Sequence, residues 1–165
     1  MPLAPIATQL FLGTVLLSIG GCLREPTMSE PAAIELLEQV YTLPDPNFRA
    51  FHEPLLRRSF FTEEIADLID AKEACYKQAF GQSVLDFDYI VPGQDYSLDN
   101  LQISQIGQSG NQTVFLVHFE NFGEKVDLLY TLQRTRAGWR IADTIYGKSS
   151  LKNVLSIKCQ DANPQ

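Results

Sequence analysis

The chain has 165 residues, enough for one domain with a sizeable core and too few for two comfortable ones. Its net charge of -7 argues against a surface that tracks phosphates, because such a surface draws affinity from clustered Lys and Arg; nucleic acid is not an expected partner, and a basic protein is. An apolar fraction of 45%, with 10 Phe and 6 Tyr, is ample core material and argues against wholesale disorder.

In chain order, the first element is the apolar run Leu10 to Ile19. It has the length of a signal-peptide core and about half of what a helix needs to span the roughly 30 Å of bilayer hydrocarbon. Ile19-Gly20-Gly21-Cys22 follows, an order that resembles the bacterial lipobox, in which cleavage precedes a cysteine that already carries lipid. Residues 1-21 are therefore expected to be a lipoprotein signal peptide, Cys22 the lipidated residue, and residues 22-30 a tether. The segment departs from the usual pattern in having no Lys or Arg among residues 1-9, and a start at Met28 is the rival reading, which leaves a cytosolic protein. Leu23 stands where an Asp would resemble the inner-membrane retention signal, so the expected address is the periplasmic face of the outer membrane, reached through a lipid anchor.

The mature chain opens with helices. Ser29 is a candidate N-cap, Glu30 and Pro31 suit a first turn, and Ile34, Leu37 and Tyr41 recur at helical spacing until Pro44-Asp45-Pro46. A short helical piece is expected around His52 to Ser59. Thr62 then caps a stronger helix, with Glu63 and Glu64 at its positive end, Ile65, Leu68, Ile69, Lys72, Cys75, Tyr76 and Ala79 along one side, and Gly81 at its end.

Beyond Gly81 the period changes. Residues 101-106, 113-120, 125-134 and 139-146 are β-branched and aromatic runs of strand length, separated by short turn clusters that each contain Gly. Strands joined by short turns make an antiparallel meander. Helices first and meander second is an α+β order, in which N-terminal helices pack on a curved sheet of four or more strands. The expected domain covers residues 31-158, with a tail at 159-165.

Cysteine usage agrees with an oxidising compartment. Once Cys22 is taken by lipid, Cys75 and Cys159 remain as an even pair and a candidate disulfide; the alternative is a small buried Cys75 and a free thiol at Cys159. The absence of a Cys-x-x-Cys or Cys/His cluster gives no reason to expect a zinc site, and no other metal or cofactor is expected.

The stretches "LDFDYIVPGQDYS" at 85-97, "VFLVHF", "KVDLLYTL", "GWRIADTIYG" and "SSLKNVL" together resemble a bacterial domain-of-unknown-function family. Its members include small envelope lipoproteins and immunity proteins against antibacterial effectors. The resemblance covers residues 29-157 and is carried most specifically by Gln94-Asp95, Gly138 to Ile141 and Ser150-Leu151; Tyr89 departs from it, standing where a proline is expected after Asp88. It implies the cone-shaped α+β fold of the nuclear-transport-factor-like superfamily.

Candidate chemistry is sparse. Counting by two from Trp139 gives Ile141, Asp143 and Ile145, which places a carboxylate in an apolar row. A buried carboxylate needs donors, neutralisation or an opening in the cone, so Asp143 is either a general base or a structural acceptor, and the structural role is favoured. His118 alternates with Val114 and Leu116, and Tyr130 lies on the Val126, Leu128, Leu132 row; with Asp143 they are the candidate catalytic set. Asp86, Asp88 and Asp95 lack the regular calcium-loop spacing and are expected in turns and caps.

The favoured function is non-enzymatic: a periplasmic domain that binds a protein. In the sharper form implied by the family resemblance, it is an immunity protein that captures a basic effector. The hairpin loop Asn121 to Glu124, with Glu124 its acid, and the strand-leading acids Asp95 and Asp99 are the candidate contacts, expected at one end of the sheet, with net charge steering association. The alternatives are a small-molecule-binding or catalytic cone using Asp143, His118 and Tyr130, and an accessory subunit of an envelope complex.

Overall fold

A computed structural model of the chain describes residues 30-81, 89-93 and 95-157, apart from the side chains of Phe48 and Phe80. The expected signal peptide, Cys22, the tether up to Ser29, Asp86, Asp88, Gln94, Cys159 and the tail lie outside the described residues. Helix α1 is Glu30–Tyr41, and its Ala33, Leu37, Val40 and Tyr41 are buried. The Pro44-Asp45-Pro46 stop ends it, but Pro46 also begins helix α2, Pro46–His52, and Pro54 begins helix α3, Pro54–Phe60. Proline suits a first turn because its φ is preset and the missing N–H has no intrahelical acceptor there. The short helix expected near His52 to Ser59 is α3, and α2 before it is an additional helix. Helix α4, Glu63–Phe80, starts and stops as expected: the Thr62 side chain accepts a hydrogen bond from the Ile65 amide, and Gly81 closes it at φ 70°.

The sheet follows as β1 (Leu98–Ser109), β2 (Gln112–Asn121), β3 (Glu124–Thr135), β4 (Gly138–Tyr146) and β5 (Ser149–Ser150), and the described chain closes with helix α5, Leu151–Ser156. The strands run antiparallel in the order β1-β2-β3-β4-β5. The architecture is α+β, helices followed by a five-stranded open meander. Neither β5 nor α5 is announced by a long periodic run. Among the described residues, no helix is long and apolar enough to cross a membrane.

One face of the sheet is the core face. Phe115, Val117 and Phe119 on β2, Leu128, Tyr130 and Leu132 on β3, and Trp139 and Ile141 on β4 are buried in one cluster with α1, Phe51, Phe61, Ile65 and Ile69. Burying an aliphatic or aromatic side chain of this size contributes about 1.5–3 kcal/mol, so this layer is the main source of stability.

Strand β4 departs from strict alternation. Thr131 pairs with Asp143, but Leu132 pairs with Ile141, so Ala142 is an extra residue in the ladder. A bulge of this kind reverses which face the following residues occupy. Thr144 takes the core-facing place opposite Tyr130, with no hydrogen-bond partner for its hydroxyl among the described residues, while Asp143 and Ile145 pair on the other face with Thr131 and Leu129. The apolar row expected at Trp139, Ile141, Asp143 and Ile145 is therefore broken after Ile141.

Strand β1 is the edge. It is exposed along most of its length and is interrupted by register shifts between Asp99 and Gln102 and between Gln105 and Gly107. The turn from β2 to β3 lies at one end of the sheet, beside the start of β1. The β1–β2 and β3–β4 turns lie at the opposite end.

Candidate functional site

The three residues of the candidate catalytic set do not converge. Tyr130 is fully buried on the core face, its hydroxyl 2.9 Å from that of Tyr41, which also donates to the Ile90 carbonyl at 3.1 Å. His118 is on the opposite face, because β2 presents its odd-numbered residues to the core; its Nδ1 lies 2.6 Å from the Asp127 carboxylate on β3. The expectation that His118 shares an interior with Tyr130 is corrected by that parity. Asp143 is also turned away, by the bulge at Ala142. Its Oδ1 accepts from the amides of Thr144 (2.9 Å) and Lys152 (3.0 Å), and its Oδ2 from the Ser150 hydroxyl (2.6 Å). The carboxylate thereby ties α5 to β4, beside the N-cap Ser150, whose hydroxyl accepts from the Asn153 amide at 3.3 Å, and this is the structural role favoured above. At the other end of α5 the ammonium of Lys72 donates to the Val154 and Ile157 carbonyls, at 3.4 and 2.7 Å.

Burial holds the Tyr41 and Tyr130 hydroxyls above the ordinary tyrosine value of 10.0, and for Tyr41 the neighbouring Tyr130 adds to the shift. The sign follows from linkage. Their stabilising contribution is intact below about pH 10 and is lost as pH rises above it, because the unfolded chain sheds those protons first. Lys72 acts oppositely: burial lowers it from 10.5, so its contribution rises with pH up to that value. The two tyrosines should dominate, and stability should fall steeply above pH 10. In an ultraviolet titration, ionisation of Tyr41 and Tyr130 should appear only together with loss of far-ultraviolet circular dichroism; their ionisation within the folded protein would contradict this.

The candidate contact residues do gather. Leu98 pairs with Asn121 and Asp99 with Glu120, while Asn121 pairs with Glu124 across the β2–β3 hairpin. Asn121 pins the preceding loop, donating to the Pro92 carbonyl (3.0 Å) and accepting from the Ser97 amide (2.9 Å). Exposed Asp95 is thereby held near the same end, where Asp99 and Glu124 are also exposed. Among the described residues, none of these three forms an ion pair.

The hairpin loop Asn121 to Glu124, expected among the contacts, has an aromatic residue at its tip. The hairpin turn is Phe122-Gly123, with φ of 51° and 82°, and Phe122 is 64% exposed. Two successive positive φ values are the signature of a type I′ turn, which favours Asn, Asp or Gly at its first central position. A phenylalanine there carries backbone strain of about 1–2 kcal/mol and presents its ring to solvent. The signal in the sequence was "ENFGEK", a two-residue turn with an aromatic where Asn is the usual choice.

Sequence reasoning missed a feature that joins α2, α3 and α4. Arg57 is 1% exposed; its Nε donates to the Phe51 carbonyl (2.6 Å), one Nη to Glu73 (2.9 Å) and the other to Asp70. Glu73 also meets His52 Nδ1 at 2.8 Å, which makes His52 a half-buried member of this network. Cys75, further along α4, is disulfide-bonded, and its partner lies outside the described residues.

The fold and this end of the sheet define an α+β domain with an acidic, aromatic-tipped hairpin. No protein-family model matches the chain, and no curated protein matches it. Among solved structures, a phospholipid-binding protein from Ralstonia solanacearum, in complex with a phospholipid, aligns over 77% of this chain and 72% of that chain. The identity is 18% and the TM-score 0.31.

Proposed function

We propose that this chain is a protein-binding module of the bacterial envelope, anchored at the outer membrane by lipid on Cys22, and that the β2–β3 hairpin end grips a basic partner. The observation that carries this reading is Phe122, a large exposed ring kept at φ 51° on a pinned turn, at the end of the sheet where Asp95, Asp99 and Glu124 are also exposed. An aromatic anchor inside a charged rim is the usual anatomy of a binding hot spot, and strained backbone gathers at such sites. The carboxylates supply steering, and the aromatic supplies the desolvated contact. In the finer form, the partner is an antibacterial effector that the domain neutralises. The disulfide at Cys75 supports an oxidising compartment.

Phe122→Asn separates folding from binding. It relieves the turn, so the domain should become more stable by about 1 kcal/mol, while capture of the basic partner falls about 30-fold or more. Charge reversal at Asp95 and Glu124 should slow association and flatten its salt dependence without changing the melting temperature. Capture and association rates that none of these substitutions alters would sink the proposal.

A further inference from the structure

The opposite end of the sheet has the opposite character. The β3–β4 turn and the α3–α4 junction enclose an open pocket of about 460 Å³, lined by Arg58, Arg136 and Arg140 with Phe61, Glu63 and Thr135. Arg58 is set in place by Asp67 (3.0 Å) and Asp70 (2.5 Å). Arg140 folds back to donate to the Trp139 carbonyl at 2.7 Å. Gly138 opens β4 at φ 113°, a backbone conformation that favours glycine. Arg134 adds to the same hairpin, stacked 5.2 Å from the Trp139 ring. Among the described residues, neither Arg136 nor Arg140 forms an ion pair. In a chain of net charge -7, two guanidiniums without an ion pair beside one cavity, Arg136 and Arg140, stand out as a local concentration of positive charge.

We propose that this pocket binds a phosphate ester whose organic part carries a hydroxyl close to the phosphate. Guanidinium groups present planar forks that match phosphate oxygens; with the charge of Arg58 offset by Asp67 and Asp70, Arg136 and Arg140 against Glu63 leave a net positive site suited to a phosphate group. The volume exceeds what bare phosphate fills, so the site has room for an organic group against the Phe61 ring. Glu63 repels an unadorned anion and accepts a hydrogen bond from a hydroxyl, so it selects the substituted ester. The same chemistry occurs in a free glycerol phosphate and in the headgroup of phosphatidylglycerol.

The test uses the full chain with glycerol 3-phosphate, inorganic phosphate, and vesicles of phosphatidylglycerol or phosphatidylcholine, followed by amide shifts of Thr135 and Ala137 and by vesicle flotation. Glycerol 3-phosphate should shift both amides and bind more tightly than inorganic phosphate. Arg136→Gln and Arg140→Gln should each weaken it about tenfold, with Arg136→Lys restoring part of the loss. Glu63→Gln should erase the preference over inorganic phosphate. Binding to phosphatidylglycerol vesicles alone, lost in the same arginine variants, supports the site with the lipid as its source. Absence of binding to any of these probes, or binding that the arginine variants leave unchanged in a protein of unaltered melting temperature, overturns it.

Discussion

Arg57→Met should lower the stability of the domain by about 3 kcal/mol, the low end of the range for removing one partner of a buried ion pair. The arginine is 1% exposed, whereas the side chains of its partners Asp70 and Glu73 are 44% and 20% exposed, so part of their charge can return to water. The Phe51 carbonyl loses its guanidinium donor, and that loss alone costs about 1–3 kcal/mol. Urea denaturation should show a lower midpoint with an unchanged slope. Arg57→Lys should recover little, because a single ammonium cannot meet a carbonyl and two carboxylates arranged around a planar fork. If either variant costs under about 1 kcal/mol, the three helices are held by apolar packing and the network is incidental.

Reduction of the Cys75 disulfide should destabilise the protein by about 2–4 kcal/mol, and peptide mapping should join Cys75 to Cys159. The reason for choosing Cys159 over Cys22, the other cysteine of the chain, is positional. Lys72, one helical turn before Cys75, donates to the carbonyl of Ile157, the last described residue. A map that joins Cys75 to Cys22 would overturn two readings together, since a thiol in a disulfide cannot carry a thioether-linked lipid. An unreduced protein in which Cys22 alone is acylated, and the label is lost in Cys22→Ala, fits both.

Local signals carried most of the fold. Thr62 and Gly81 bracket α4 by ordinary cap chemistry, and the β-branched runs located four strands to within a few residues. Misreadings arose where one residue changes the count or where contacts span the chain. Ala142 carries no mark of a bulge in its own side chain, yet it moves Asp143 to the other face and converts a candidate base into an acceptor for the first turn of α5. The parity of β2 likewise cannot be read from β2 alone, since Val114 and Leu116 are nearly as apolar as Phe115 and Val117; packing against α1 and α4 decides it.

Of the candidate contacts, Asp99 and Glu124 were legible for the same local reason that the hairpin was: short antiparallel turns bring their strands to one end of the sheet. The arginine pocket was not, because Arg58 and the "TRAGWR" turn meet only when α3 docks beside β4, where Phe61 bridges to Ile141. The partners of Arg57 lie on a helix beyond an intervening turn, and no spacing rule links them.

The two interruptions in β1 also bear on how the domain behaves among its neighbours. An unbroken exposed edge of twelve residues would offer a template on which copies held at high density on one surface could zip their sheets together. The irregularities after Asp99 and Gln105 leave only a short regular segment between them. Straightening that edge, rather than altering any contact residue, would be the shortest route to joining separate copies of this domain into a polymer.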